Sequence, residues 1–220
     1  MSASATLAET IADALRADLR AGHIPPGERL IELALVQKYQ VSQAAVRDAL
    51  HLLEREGWVV SEARRGARVR SFTPESAHEV FALLAEIEGL ALGWAARDHT
   101  RVTLLEALRP CLDHAHHAQR ASQWAERRAA LRDFHQHIAA LAARPQTQTL
   151  LNTLHNQAEL LTAHYERHGN PDAYRTAQLE GYEHVFGMIK FGDPEEAQAA
   201  LRTRLHADAV PMVRWLAGGG

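Results

Sequence analysis

The chain has 220 residues, 46% of them hydrophobic and 23% charged, with a formal net charge of −3. That length carries two modest domains with their own cores, and the composition excludes a disordered tail. No apolar run nears the ~20 residues that span a bilayer, and Met1–Thr6 lack a charged-then-apolar leader pattern, so a cytoplasmic protein is expected. The single cysteine, Cys111, excludes an internal disulfide and reads as a small buried residue in a reducing compartment.

In chain order, residues 6–22 bring Leu7, Ile11, Leu15 and Leu19 to helical spacing, and Gly22 closes that helix. Pro25-Pro26-Gly27 makes a turn, and 30–39 reads as a second helix. The helix at 43–56 follows, with Ser42 as its N-cap and Val46, Leu50 and Leu53 as its buried stripe. Gln43, Ala44 and Arg47 point the other way. Small and hydrogen-bonding residues at an exposed helix start suit entry into a DNA major groove. Gly57 ends the helix. Two β-prone runs, 58–60 and 67–70, flank a basic hairpin tip at Arg64-Arg65-Gly66. Helix plus basic hairpin is the layout of a winged helix-turn-helix.

Charge supports this layout more than the total suggests. Residues 1–72 carry 10 Lys and Arg against 9 Asp and Glu, and the remainder 14 against 18. The basic residues sit at Arg47, Arg64, Arg65, Arg68 and Arg70, where a DNA-facing surface is expected. Beyond a linker at 72–75, helical stripes run over 75–97, 101–122, 124–142, 146–167, 172–191 and 194–215. Their short connections predict antiparallel neighbours in a bundle. Pro211 is expected to kink or end the last helix. The fold class is therefore mainly α: an N-terminal winged helix-turn-helix over 6–72 and a C-terminal all-α antiparallel helical bundle over 73–217.

The spaced motifs of residues 24–32, Val41-Ser42, Val46-Arg47-Asp48-Ala49-Leu50, Leu53-Glu54-Arg55-Glu56-Gly57 and Arg65-Gly66-Ala67-Arg68-Val69 resemble the winged-helix domain of GntR-family repressors. The family carries Ser-Arg-Thr-Pro where this chain has Ser42-Gln43-Ala44-Ala45, so Gln43 replaces a base- or phosphate-contacting arginine. The resemblance implies DNA contacts from Ser42, Gln43, Ala44, Arg47, Arg64, Arg65 and Gly66. Phe134-His135, Ile138, Arg144-Pro145, Ile189, Gly192-Asp193, Ala197, Leu201 and Arg202 resemble the FCD effector domain of the FadR branch. There the bundle encloses a pocket, and many members hold a divalent metal with an Asp and three His that grips a carboxylate effector.

Two placements of that quartet compete. Alignment by motif gives Leu131, His135, Tyr182 and Arg204, whose one imidazole cannot hold a metal. Shifting by two residues gives Asp133, His137, His184 and His206, which restores the ligand types and implies one divalent ion such as zinc, nickel or manganese. Two residues turn a helix by about 200°. The apolar stripes Leu131, Phe134, Ile138, Leu141 and Ala197, Leu201, Leu205, Ala209 therefore favour the first placement. On it no cofactor is expected, and Arg204 would serve as the anion anchor in place of the metal, with hydrogen bonds from His135 and Tyr182. Asp113 and His117 share a face but read as solvated, and Trp94, Trp124 and Trp215 as core or dimer contacts.

The expected function is a homodimeric transcriptional regulator, usually a repressor in this family. It would bind a roughly palindromic double-stranded operator and respond to a small carboxylate effector. The metal-dependent regulator built on the shifted quartet is the alternative. A helical His-rich hydrolase joined to a DNA-binding domain is the remote one, since no nucleophile–base pair, Gly-rich phosphate loop or His-Glu-x-x-His helix is present.

Overall fold

Thr6 starts the first helix through a capping box, its hydroxyl accepting from Glu9 N while the Glu9 carboxylate accepts from Thr6 N. The computed structural model describes residues 6–62 and 66–219. Helix α1 (Leu7–Arg20), α2 (Glu32–Tyr39) and α3 (Gln43–Arg55) precede a small sheet. Strand β1 (Arg29–Leu30) pairs antiparallel with β3 (Gly66–Val69), which also pairs antiparallel with β2 (Val59–Glu62), so the order is β1-β3-β2. This revises one boundary: the second helix begins at Glu32, because Arg29 and Leu30 are drawn into the ladder opposite Arg68 and Ala67. The bonds Val69 N to Glu28 O and Gly27 N to Val69 O extend that edge.

Ile11, Leu15, Leu19, Val46, Leu50, Leu53 and Trp58 make the core of this first part. Arg16 clamps α1 to the end of α3, giving its Nε and Nη2 to the two oxygens of Glu56 at 2.7 and 2.6 Å. This arrangement is a winged helix-turn-helix.

The rest is an all-α bundle: α4 (Pro74–Asp98), α5 (Arg101–Arg120), α6 (Trp124–Ala142), α7 (Pro145–His168), α8 (Asp172–Phe191) and α9 (Pro194–Ala217). Caps mark the starts expected from sequence: Thr73 and Asp193 form capping boxes with Pro at the first helical turn. Helix α9 continues past Pro211 to Ala217 instead of ending there, and α5 likewise contains Pro110. Burial of Leu205, Ala209 and Met212 holds the helix on both sides of Pro211.

Helix α7 serves both parts. Leu160 is buried in the winged-helix core, Asn156 Nδ2 donates to Glu56 O at 3.0 Å, and Arg167 donates to Ala21 O. Gly57 sits against the same helix with φ +85°; a Cβ there would stand 2.9 Å from Thr153 Cγ2. Its absence of side chain thus permits both the left-handed turn and the close approach.

Candidate effector cavity and DNA-facing helix

Ser42 caps α3, its Oγ accepting from Ala45 N at 3.2 Å. Gln43, Ala44 and Arg47 are exposed at that helix start. Glu32 of α2 holds two of them: one carboxylate oxygen accepts from Gln43 Nε2 at 2.8 Å and from Arg47 Nε at 2.9 Å. The Gln43 hydrogen bond, joined by Arg47, keeps the Glu32 carboxyl below its ordinary range against a small desolvation. Gly66 opens β3 at φ +79° on an exposed position. Arg64 and Arg65 lie outside the described residues. Arg68 and Arg70 are half-buried and donate to the carbonyls of Gly27 and Gly57, so both brace the wing from inside.

In the bundle, α4, α6, α7, α8 and α9 surround a cavity holding about 550 Å³ of space, its open mouth included. Leu131, His135 and Tyr182 line it. Arg204 does not. Its Nη2 pairs with Asp208 Oδ1 at 2.5 Å and its Nη1 donates to Ala177 O at 2.9 Å. The guanidinium reaches that carbonyl by crossing α8 at Gly181, where a Cβ would stand 2.3 Å from Arg204 Cδ. Arg204, the expected anion anchor, is thus paired in this structure with a carboxylate of its own helix, four residues on.

The cavity's cations are instead Arg128 and Arg132, on α6 one turn before Leu131 and His135. Arg132 Nη1 donates to Glu159 Oε1 at 2.5 Å; Arg128 pairs with Glu166 and gives a second bond to Arg20 O at 3.0 Å. Their signal was readable, because 128, 131, 132 and 135 share one helix face.

Behind the wall, Glu88 of α4 is fully buried with His135 Nδ1 at 2.5 Å from Oε1 and His155 Nε2 at 3.2 Å from Oε2. Burial opposes its ionisation, yet the attraction of the two imidazoles prevails and holds the carboxyl down at about 2. Tyr182 Oη lies 2.8 Å from His135 Nε2 and 3.4 Å from Asp208 Oδ2. Burial foremost, then the Asp208 charge, pushes that phenol well above its usual range. Burial also raises the Asp208 carboxyl in spite of Arg204. Sequence reasoning missed Glu88 and His155. Both fall on apolar stripes, Phe81-Leu84-Glu88-Leu92 and Leu151-His155-Ala158-Thr162, and a polar residue on such a stripe was the available sign.

Among the described residues, Glu88, His135 and His155 form the group of His, Cys, Asp and Glu whose donor atoms converge, all within 4.8 Å. The shifted quartet does not converge: Asp133, His137, His184 and His206 are each exposed, and His137 Nδ1 turns to Asp133 O at 2.7 Å. The residues at the motif-aligned family positions do not fit the family's metal either, offering one imidazole beside a leucine, a phenol and a paired guanidinium. Asp113 and His117 are exposed, with Asp113 3.5 Å from Arg109. Trp124 is covered by Arg175 at 3.9 Å, and Trp215 packs on His164 and Tyr165.

A winged helix joined to a bundle with a lined cavity defines a DNA-binding regulator with room for a small ligand, and comparison with known proteins agrees. Residues 7–69 match the family model for bacterial regulatory proteins of the gntR family, and residues 79–207 match the FCD domain. The chain belongs to the gntR family of transcriptional regulators that carry an FCD domain.

It is similar to BphR of Paraburkholderia xenovorans (strain LB400), an uncharacterised HTH-type transcriptional regulator, at 31% identity over 74% of this chain and 69% of that one. It is also 31% identical to the uncharacterised HTH-type regulator YdhC of Bacillus subtilis (strain 168), over 39% of each chain. The solved structure of E. coli McbR/YncC has the same fold, with a TM-score of 0.81 at 20% identity over 96% of this chain and 99% of that one. No described helix is long and apolar enough to cross a membrane.

Proposed function

We propose that this regulator is a cytoplasmic homodimeric repressor whose operator affinity is set by a small organic acid bound in the bundle cavity. The observation that carries the reading is the presence of Arg128 and Arg132 on the cavity lining, with Arg132 tied to Glu159, a carboxylate that lines the same cavity. Arginine forks suit carboxylates bidentately. His135 and Tyr182 supply further hydrogen bonds, and Leu131 with Phe81 and Leu84 supplies apolar cover. On this reading the anchor is the α6 pair, which lines the cavity where Arg204 does not.

On the DNA side, Ser42, Gln43, Ala44 and Arg47 enter the major groove. Arg64, Arg65 and Gly66 of the wing meet the neighbouring backbone or minor groove. Two copies would pair on a roughly palindromic operator, as a two-fold dimer requires. Glu159 supports the coupling, since it faces the cavity and also holds Arg20 of α1 at 3.2 Å. An acid that takes Arg132 from Glu159 alters the bond to the winged helix. The ligand's different affinity for the two states then sets the operator response.

The test is a thermal-shift screen of small mono- and dicarboxylates on the full chain, followed by operator binding with and without the hit. An acid that raises the melting temperature of wild type but not of Arg132→Ala, and weakens operator binding, supports the reading. Neutral ligands that bind equally well in both proteins sink it.

A further inference from the structure

Glu32 at the start of α2 and Gln43 and Arg47 at the start of α3 form one hydrogen-bonded group. Both bonds end on the same oxygen: Glu32 Oε2 accepts from Gln43 Nε2 at 2.8 Å and from Arg47 Nε at 2.9 Å. An ionised carboxylate is an acceptor only, so the Gln43 amide is held with its nitrogen toward α2. Turned the other way, it would set Oε1 against the carboxylate. The glutamine itself is exposed, and so is Ala44 beside it. Gln43 is shorter than an arginine, and the small side chains of Ala44 and Ala45 let this helix start come close to a base edge.

The two ends of an amide meet different base edges differently. In the major groove adenine presents the N7 acceptor beside the N6 donor, and a glutamine amide engages both at once. Guanine presents two acceptors, thymine one acceptor and cytosine one donor, so none of these three engages both ends. For guanine and thymine, the contact must come through Nε2 and compete with the charge-assisted bond to Glu32. For cytosine, the Oε1 contact stands alone. Adenine adds an Oε1 bond to whatever Nε2 gives up.

We propose that Gln43 selects adenine at one position of each operator half-site, and that Glu32 sharpens the selection by fixing the amide's orientation and competing for its nitrogen. This selectivity rests on the proposed seating of α3 in a major groove, and it needs neither the effector nor the cavity.

Full-length protein is taken through rounds of binding to a pool of random-sequence duplexes, with sequencing of the bound DNA, for wild type, Gln43→Arg and Glu32→Gln. Wild type is expected to enrich a two-fold symmetric motif with adenine at one fixed half-site position. Gln43→Arg is expected to enrich the same motif with guanine there, because arginine matches the two guanine acceptors. Anisotropy at one salt concentration then measures single-base exchanges in the selected duplex. Replacing that adenine is expected to weaken wild-type binding about 5- to 150-fold, the range of a bidentate base contact. Glu32→Gln, whose own amide bonds Gln43 in either orientation, is expected to lower this discrimination by about threefold or more. Unchanged preferences at the other positions show that both variants fold and dock. The same base at every position for wild type and Gln43→Arg overturns the adenine selection and leaves the winged-helix reading standing. Full discrimination in Glu32→Gln overturns the role given to Glu32. No enriched motif with wild type removes the major-groove seating itself, and the adenine selection with it.

Discussion

Arg20 and Glu159 meet across the boundary between the winged helix and the bundle, with Arg20 Nε 3.2 Å from Glu159 Oε2. The other oxygen of the same carboxylate holds Arg132 on the cavity wall. One side chain thus joins the last turn of α1 to the inside of the bundle. Arg20 also lies 5.2 Å from the ring centre of the buried Trp58, which immediately follows the turn that closes α3. A change at Glu159 is therefore felt at both ends of the DNA-facing unit.

Glu159→Gln keeps the shape and removes the charge. Arg132 is then permanently free for an anionic ligand, while Arg20 loses its ion pair. The effector-driven change in operator affinity should shrink to within about threefold, from the roughly 5- to 150-fold typical of coupled sites. Fluorescence anisotropy of labelled operator, with and without the acid, reads this directly. A full response in the variant would show that the signal travels by another route.

Glu32 restrains the recognition surface. Its carboxylate occupies Gln43 and Arg47 in the free protein, so on the proposed DNA contacts the duplex competes for both. Glu32→Gln should tighten binding to nonspecific duplex several-fold, whereas Arg47→Ala should weaken operator binding. If Arg47 grips a phosphate, its loss also lowers the salt slope by about one unit. Equal slopes in wild type and Arg47→Ala would place Arg47 off the phosphate backbone.

Much of this architecture was legible because local signals agreed. Ser42 announced a helix start, Gly57 announced a stop, and the stripe through Leu131, Phe134 and Ile138 fixed which face of α6 is inward. Legibility failed where long-range pairing decided the outcome. Leu30 looks like the start of a helix until β3 pairs with it. Arg204 looks like a free cation on the cavity side of a stripe. Its Asp208 partner is visible four residues on, but the choice between facing a ligand and crossing α8 depends on Gly181, which belongs to another helix. The Glu88–His135–His155 group joins residues 47 and 20 positions apart along the chain, and spacing rules for one helix do not bring such residues together.

His164 gives a pH dependence with a defined sign. Half-buried against Trp215 and beside His168, it has a pKa lowered first by burial and then by the neighbouring charge. The unfolded chain therefore binds a proton more readily than the folded one near its ordinary value of 6.5. Stability lost to this group is greatest below the folded pKa and vanishes as pH rises past 6.5. His164→Phe keeps a ring on Trp215 and removes the titration. Its melting temperature relative to wild type should be higher at pH ~5.5 than at pH ~8. A difference independent of pH would mean His164 titrates alike in both states.

Arg204 and Asp208 supply the prediction that separates a structural ion pair from a ligand anchor. Asp208 has 2% and Arg204 9% of its surface exposed, and removing one partner of such a pair typically costs about 3–5 kcal/mol. Arg204→Leu should therefore lower stability by an amount of that order, because Asp208 keeps only Gln178 and the longer contact to Tyr182. Adding Asp208→Asn removes the stranded charge while retaining an acceptor for Gln178, and should recover most of the loss. Chemical denaturation of both variants measures this, and titration with the acid measures the other role. Loss of acid binding in the double variant, with stability restored, would return Arg204 to the effector site. Retained binding leaves the anion with Arg128 and Arg132, the second of which has its carboxylate partner, Glu159, on the cavity wall.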